Sequence, residues 1–187
     1  MTRLDALREI LAACPDDPVV GTCGATIREL ASLGVRDNCL YMQNSMGLAG
    51  PIGLGLALGH AAPEHGRVVV IEGDGGTLMG LSQLGTLALL RPASLVLAVL
   101  DNGVHASTGG QPTAAGALDL AAVFAAAGCC TAQAEDEAGL HAALAAARAA
   151  PGPWMLHVRI APGTAPLPYY QEDPAVIAQR FAAFLAR

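Results

Sequence analysis

The sequence contains no lysine. All ten basic residues among its 187 are arginines, and sixteen acidic residues set the formal charge at −6. A chain without lysine cannot form a lysine Schiff base, attach pyridoxal phosphate or supply the lysine of a phosphate-binding P-loop. The acidic balance argues against nucleic acid or an anionic membrane surface as partner, since both require a basic face. Any anionic ligand must therefore be met by Arg, His or backbone N–H groups. Cysteine is scarce and unpatterned. Cys14, Cys23, Cys39, Cys129 and Cys130 are odd in number and show no CxxC spacing, which offers neither a zinc site nor a disulfide framework. Buried thiols in a reducing compartment are the default. No run free of polar residues reaches the roughly 18–20 needed to cross a bilayer. The opening segment, MTRLDALREILAACPDD, reads as an amphipathic helix with acidic residues rather than a signal core. A cytoplasmic chain is expected. The dinucleotide fingerprint GxGxxG follows none of the candidate strands.

What is present is a regular alternation of strand and helix. The length suits about one α/β domain, taken as residues 1–187. After the first helix, strands are expected over 19–22 and 39–43, with a helix over 26–33 between them and a Gly-rich helix within 44–59. Two apolar runs follow, VVVIEGDGG (68–76) and SLVLAVLDNG (94–103), joined by one helix-length segment over 77–90. Further on, helices are expected over 118–127 and 135–149 and strands over 129–133 and 154–160. Such alternation implies a three-layer α/β/α fold whose parallel sheet is covered on both faces. A Pro-rich connection, 162–174, leads to a closing amphipathic helix with Val176, Ile177, Phe181, Phe184 and Leu185 on its apolar side. That helix docks on its own domain or on a partner. His60 and His65 flank a Pro-containing loop, where a solvated loop is the ordinary reading and a metal pair the alternative. A composition 53% hydrophobic and only 14% charged fits surface hidden in an oligomer, although an Ala-rich core also raises the first figure.

The two apolar runs carry the chemistry. Ligands of open α/β sheets gather at the carboxyl ends of the strands, where Asp74 and Asn102 fall, one per strand. Their two hard oxygens suit Mg²⁺, which takes only one or two protein side chains and leaves its other positions to phosphate, water and backbone carbonyl. Gly73 and Gly75 flank the carboxylate, and a residue without Cβ lets backbone approach a bulky anion. The next helix is expected to start near Thr77, with its unpaired N–H groups turned toward the same anion. Alone, GDGG is more often a plain strand-to-helix turn with Asp74 as N-cap. Asn102 at the matching strand end favours the metal reading.

These residues resemble the signature of the thiamine-diphosphate enzymes, GDG followed by Asn in an NN or DN pair, here Gly73-Asp74-Gly75 and Asp101-Asn102. The resemblance implies that Asp74, Asn102 and the carbonyl of Val104 hold Mg²⁺, that Gly73 to Gly76 border thiamine diphosphate, and that Asp101 is not a ligand. NSMGLAGPIGLGLALG (44–59) looks like the segment that holds the aminopyrimidine ring in decarboxylases of this family. By that likeness Met46 is the apolar wedge that bends the coenzyme, with Asn44, Ser45 and Met46 against the pyrimidine. A Gly-rich core helix with an ordinary buried Met is the bland alternative. GTCGATIREL (21–30) is similar to the first strand-to-helix turn of sulfopyruvate and phosphonopyruvate decarboxylases, which implies that Thr22, Cys23 and Gly24 touch the diphosphate. Those relatives tend to carry a hydroxyl residue where Cys23 stands. NGVHASTGGQPT (102–113) closely resembles a loop of the same two enzymes and implies catalytic roles for His105, Ser107 and Thr108 beside the thiazolium. For a lone loop His, solvated surface is the bland reading.

The resemblance covers nearly the whole chain and corresponds to the family's diphosphate-binding domain. In the family, the Glu that activates the coenzyme comes from a pyrimidine-binding domain, for which 187 residues leave no room. A separate pyrimidine-binding subunit and a hetero-oligomer are therefore expected, as in the two-subunit sulfopyruvate decarboxylases, whose β subunit the sequence resembles. The implied reaction is decarboxylation of a small anionic 2-oxo acid, 3-sulfopyruvate first and 3-phosphonopyruvate second. An acetolactate-synthase-like carboligase and a non-catalytic cofactor-binding module are the alternatives.

Overall fold

The computed structural model describes residues 1–59 and 66–187; His60 and His65 lie outside the described residues. In chain order the elements are α1 (Arg3–Ala13), β1 (Val19–Gly21), α2 (Ala25–Ser32), β2 (Cys39–Tyr41), α3 (Ala49–Gly59) and β3 (Val68–Gly73). They continue with α4 (Asp74–Met79), α5 (Gln83–Leu90), β4 (Leu95–Asp101), a short antiparallel pair β5 (Val104–His105) and β6 (Gln111–Pro112), and a 3-10 turn at Ala114–Ala117. The last part holds α6 (Leu120–Ala126), β7 (Cys130–Ala134), α7 (Glu137–Ala149), β8 (Trp154–Arg159) and α8 (Pro174–Leu185).

Six strands form one parallel sheet in the order β2-β1-β3-β4-β8-β7. The two strands with the longest apolar runs, β3 and β4, lie at its centre and are buried on both faces, with Glu72 and Asp101 the charged residues near their ends. Alternation along each divides the core in two. Val69, Ile71, Val96 and Ala98 pack with Leu7 and Ile10 of α1, Leu30 of α2 and Leu140 of α7 on one side. Val68, Val70, Leu97 and Val99 pack with Leu54 of α3, Leu87 of α5 and Phe124 of α6 on the other. This is the three-layer α/β/α arrangement that the alternation implies.

Three expectations change at the local level. The helix over 77–90 is two helices, and the first begins at Asp74 rather than Thr77. The first helix ends at a close backbone approach: a Cβ at Gly80, the C-cap of α4, would collide with the carbonyl oxygen of Gly47. The segment after Asn102 is not a plain loop, because β5 and β6 pair within it. The Gly-rich helix starts only at Ala49, and residues 44–48 form a separate turn ahead of it. The closing helix packs on this chain through Ile177 and Phe181, whereas Val176 is exposed. No helix among the described residues is long and apolar enough to cross a membrane.

Helix α3 lies close on the sheet because Gly53 faces Val70, and a Cβ there would overlap the Val70 Cγ2 methyl. Gly55, on the same helix, has nothing within 4 Å of the equivalent position. Ala in place of Gly normally stabilises a helix, so the two sites are expected to respond with opposite sign. In chemical denaturation, Gly55→Ala is expected to gain about 0.5–1 kcal/mol and Gly53→Ala to lose about 1–3 kcal/mol through overpacking.

Candidate active site

The parallel register of β3 on β4, Gly73 opposite Leu100, brings the two strand ends side by side. Beyond them the chain turns into Asp74 on one strand and Asn102 on the other, and both line a cavity of about 220 Å³ together with Val104. Gly73 is the extended N-cap of α4 and makes no side-chain cap bond, so Asp74 is the first residue of the helix and not its cap. The Asp74 side chain is buried, and burial pushes its carboxyl pKa above 3.8, reinforced by the nearby charge of Asp101. The Thr113 hydroxyl donates to Asp74 Oδ2 and opposes that shift. Thr113 falls in the quoted GGQPT segment, but nothing in its sequence context assigns it this partner.

The turn after β4 is built from two side-chain-to-backbone bonds. Asp101 Oδ1 accepts the Gly103 N–H at 2.9 Å, and Asn102 Oδ1 accepts the Val104 N–H at 3.1 Å. Gly103 takes φ +71°, a left-handed conformation that favours glycine. The second oxygen of Asp101 faces His157 Nε2 at 2.7 Å. That hydrogen bond, against the opposing effect of burial, holds the Asp101 carboxyl below its usual range. Both oxygens of Asp101 are engaged by the protein, and Asp101 is not among the residues that line the cavity.

The facing wall comes from β1 and α2. Gly24 caps α2 at φ +80° without a side-chain bond, and the Ala25 N–H donates to Ser107 Oγ at 3.1 Å. The loop between β5 and β6 therefore leans on the start of α2, where a Cβ at Gly24 would stand 2.6 Å from the Ser107 oxygen. Thr22 and Cys23 line the same wall. Burial, then the Glu72 charge, pushes the Cys23 thiol pKa up, so this sulfur is not a ready thiolate. At the mouth, His105 and Met46 converge over Gly75. A Cβ at Gly75 would lie 2.5 Å from His105 Cε1 and 3.2 Å from Met46 Cε. Met46 is 37% exposed, unlike a core methionine. The turn that aims it holds Ser45 at φ +68°, an uncommon conformation for a residue with a side chain.

The cavity thus gathers Thr22, Cys23, Gly24, Met46 and the run Gly73 to Gly76 with Asn102, Val104, His105, Ser107 and Thr108. Asn44 and Ser45 are not among its walls and serve the turn before α3. Arg3 and Glu72 also line it, without having been singled out in the sequence. Arg3 is buried and donates to Glu29 Oε1 at 2.9 Å, which places a guanidinium at the wall of a chain without lysine. Glu72 is buried, its Oε2 has no hydrogen-bond partner, and desolvation pushes its carboxyl pKa up. A charged residue inside the run VVVIEG was the available signal.

A profile of the family described as thiamine pyrophosphate enzyme, C-terminal TPP binding domain, matches residues 19–158. Phosphonopyruvate decarboxylase of Streptomyces viridochromogenes is 45% identical over 98% of the chain and 46% of its own length. Sulfopyruvate decarboxylase subunit beta of Methanothermobacter thermautotrophicus is 38% identical over 97% of the chain and 94% of its own length. Among solved structures, a Mycobacterium smegmatis protein described as thiamin diphosphate-dependent superposes with TM-score 0.73 at 28% identity, over 87% of this chain and 32% of that one. The chain belongs to the thiamine pyrophosphate enzymes, as their C-terminal TPP binding domain. It spans about half the length of the phosphonopyruvate decarboxylases it matches.

The donor set fits a magnesium diphosphate. Among the described residues no three His, Cys, Asp or Glu side chains cluster closely enough to hold a metal by themselves. One carboxylate, one amide oxygen and one carbonyl leave the remaining positions to phosphate and water, as Mg²⁺ prefers. Gly73 has nothing within 4 Å of its Cβ position and lines the open cavity, so space for the anion is present.

A buried carboxyl with a raised pKa destabilises the folded chain as the anion. The penalty is present in full above the raised value and disappears below the ordinary 3.8. Without divalent cations, Asp74→Asn is therefore expected to melt above the wild type at neutral pH, with the difference shrinking as the pH falls. Thermal melts across that range check it, and a lower melting point at neutral pH contradicts it.

Proposed function

We propose that this chain is the diphosphate- and Mg²⁺-binding subunit of a thiamine-diphosphate-dependent decarboxylase of small anionic 2-oxo acids, acting with a pyrimidine-binding half on a separate polypeptide. The observation that carries this reading is the cavity itself, in which Asp74, Asn102 and Val104 meet below Met46 and His105. The relatives support it from two directions. The chain matches nearly all of a relative named as a subunit beta, a name that implies a partner subunit, and 46% of a phosphonopyruvate decarboxylase. We take 3-sulfopyruvate as the first substrate because three of the relatives are named sulfopyruvate decarboxylase subunit beta. The 45% identity to phosphonopyruvate decarboxylases favours 3-phosphonopyruvate as the second reading.

In this reading Asp74, Asn102 and the Val104 carbonyl would hold Mg²⁺, and Gly24, Thr26 and Gly73 to Gly76 line the space that would take the diphosphate. Bound there, thiamine diphosphate supplies the electron sink that lets the substrate carboxylate depart as CO₂. The protein contributes position and polarity. Met46 would support the coenzyme from its turn, where the lack of a side chain at Gly75 lets Met46 and His105 approach. His105, with the more exposed Ser107 and Thr108, lines the cavity where it would hold or deliver a proton and donate to a sulfonate or phosphonate. An unpaired buried anion is strongly unfavourable, so these donors and Arg3 define which substrates are tolerated.

The isolated chain is expected to turn over no 2-oxo acid, because the activating Glu lies in the other half. Assembled, it is expected to show a higher kcat/KM for 3-sulfopyruvate or 3-phosphonopyruvate than for pyruvate. His105→Ala is expected to lower kcat about 100-fold with a smaller effect on cofactor affinity. A coupled aldehyde assay on the three acids measures this. Equal or better use of pyruvate contradicts the anionic-substrate reading and favours a carboligase.

A further inference from the structure

The turn that carries Asn102 and Val104 is tied to the sheet by a buried pair outside the cavity. Asp101, the last residue of β4, is 2% exposed, and His157 on the neighbouring β8 is 5% exposed. The register of β4 on β8 sets Val99 opposite His157 and Asp101 opposite Arg159. The imidazole therefore reaches along the strand to Asp101, with Nε2 2.7 Å from Oδ2. A carboxylate only accepts, so Nε2 carries the hydrogen and donates it. The other oxygen, Oδ1, accepts the N–H of Gly103 at 2.9 Å. One carboxylate thus joins a side chain of the adjacent strand to the backbone between Asn102 and Val104. Arg159 cannot replace the imidazole: it is 3.7 Å away and 58% exposed, where an ion pair is weak.

We propose that His157 is a positioning residue for the divalent cation, acting through Asp101 to fix the turn that presents the Asn102 amide oxygen and the Val104 carbonyl. The proposal rests on the cofactor reading above. Metal ligands are oriented by the groups that hydrogen-bond around them, and here the chain of bonds runs from His157 to Asp101 to Gly103. Without the imidazole, Asp101 is free to rotate, and Gly103 at φ +71° loses the acceptor that stabilises its conformation.

The test uses the enzyme assembled from this chain and its pyrimidine-binding half. His157→Gln keeps an N–H at the reach of Nε2, whereas the shorter His157→Asn does not reach Asp101. Mg²⁺ affinity is read from calorimetric titrations of thiamine diphosphate at graded Mg²⁺. It is expected to fall about 10- to 100-fold in His157→Asn and to stay near the wild-type value in His157→Gln, with KM for the 2-oxo acid at saturating Mg²⁺ unchanged in both. Asp101→Asn, whose side chain offers one acceptor where two are used, is expected to weaken Mg²⁺ as well. Equal Mg²⁺ affinity in the two His157 variants, or full affinity in a folded Asp101→Asn, overturns the proposal and leaves the cofactor reading standing. Wild-type binding of thiamine diphosphate that does not depend on Mg²⁺ overturns that reading and the proposal with it.

Discussion

The Asp74 carboxylate is buried where β3 gives way to α4, in surroundings that disfavour its charge, and the neighbouring structure is arranged around that fact. The Thr113 hydroxyl donates to it, the first turn of α4 starts on it, and Gly73 before it leaves the approach clear. In a poorly hydrated setting an anion without a counterion is unfavourable, while the same anion beside a divalent cation is strongly stabilised. The cost of burying the Asp74 charge would be offset by an adjacent cation. The parallel pairing of β3 and β4 places Asn102 at the adjoining strand end to share it.

The rest of the cavity is held by contacts between loops that are distant in sequence. Ser107 reaches from the hairpin loop to the start of α2, Met46 and His105 meet over Gly75, and Gly47 presses on Gly80 at the end of α4. None of the three walls is fixed by its own element alone. A ligand touching all three can therefore order the site as one unit.

The sequence made the central strands legible because β3 and β4 carry unbroken apolar runs, Val68–Ile71 and Leu95–Leu100, that lead into turn residues, which sets Asp74 and Asn102 at one sheet edge. Other features depend on tertiary contacts that no local pattern records. The break between α4 and α5, where the Gly47 carbonyl lies against Gly80, is not shown by the helix-length run 77–90. The hairpin at Val104–His105 and Gln111–Pro112 is too short for alternation to reveal. Arg3 reads as an ordinary first-turn residue of a surface helix, and only its pairing with Glu29 brings it to the cavity. Glu72 did carry a signal, a lone charge in an apolar strand, and its unpartnered oxygen shows why that signal matters.

The central claim is that the cavity binds a diphosphate through a cation held by Asp74. Calorimetric titration of thiamine diphosphate into the assembled enzyme, with and without Mg²⁺ and with Asp74→Ala in parallel, tests it most directly. The account predicts Mg²⁺-dependent binding in the wild type and its loss in Asp74→Ala. Unchanged affinity in Asp74→Ala contradicts it.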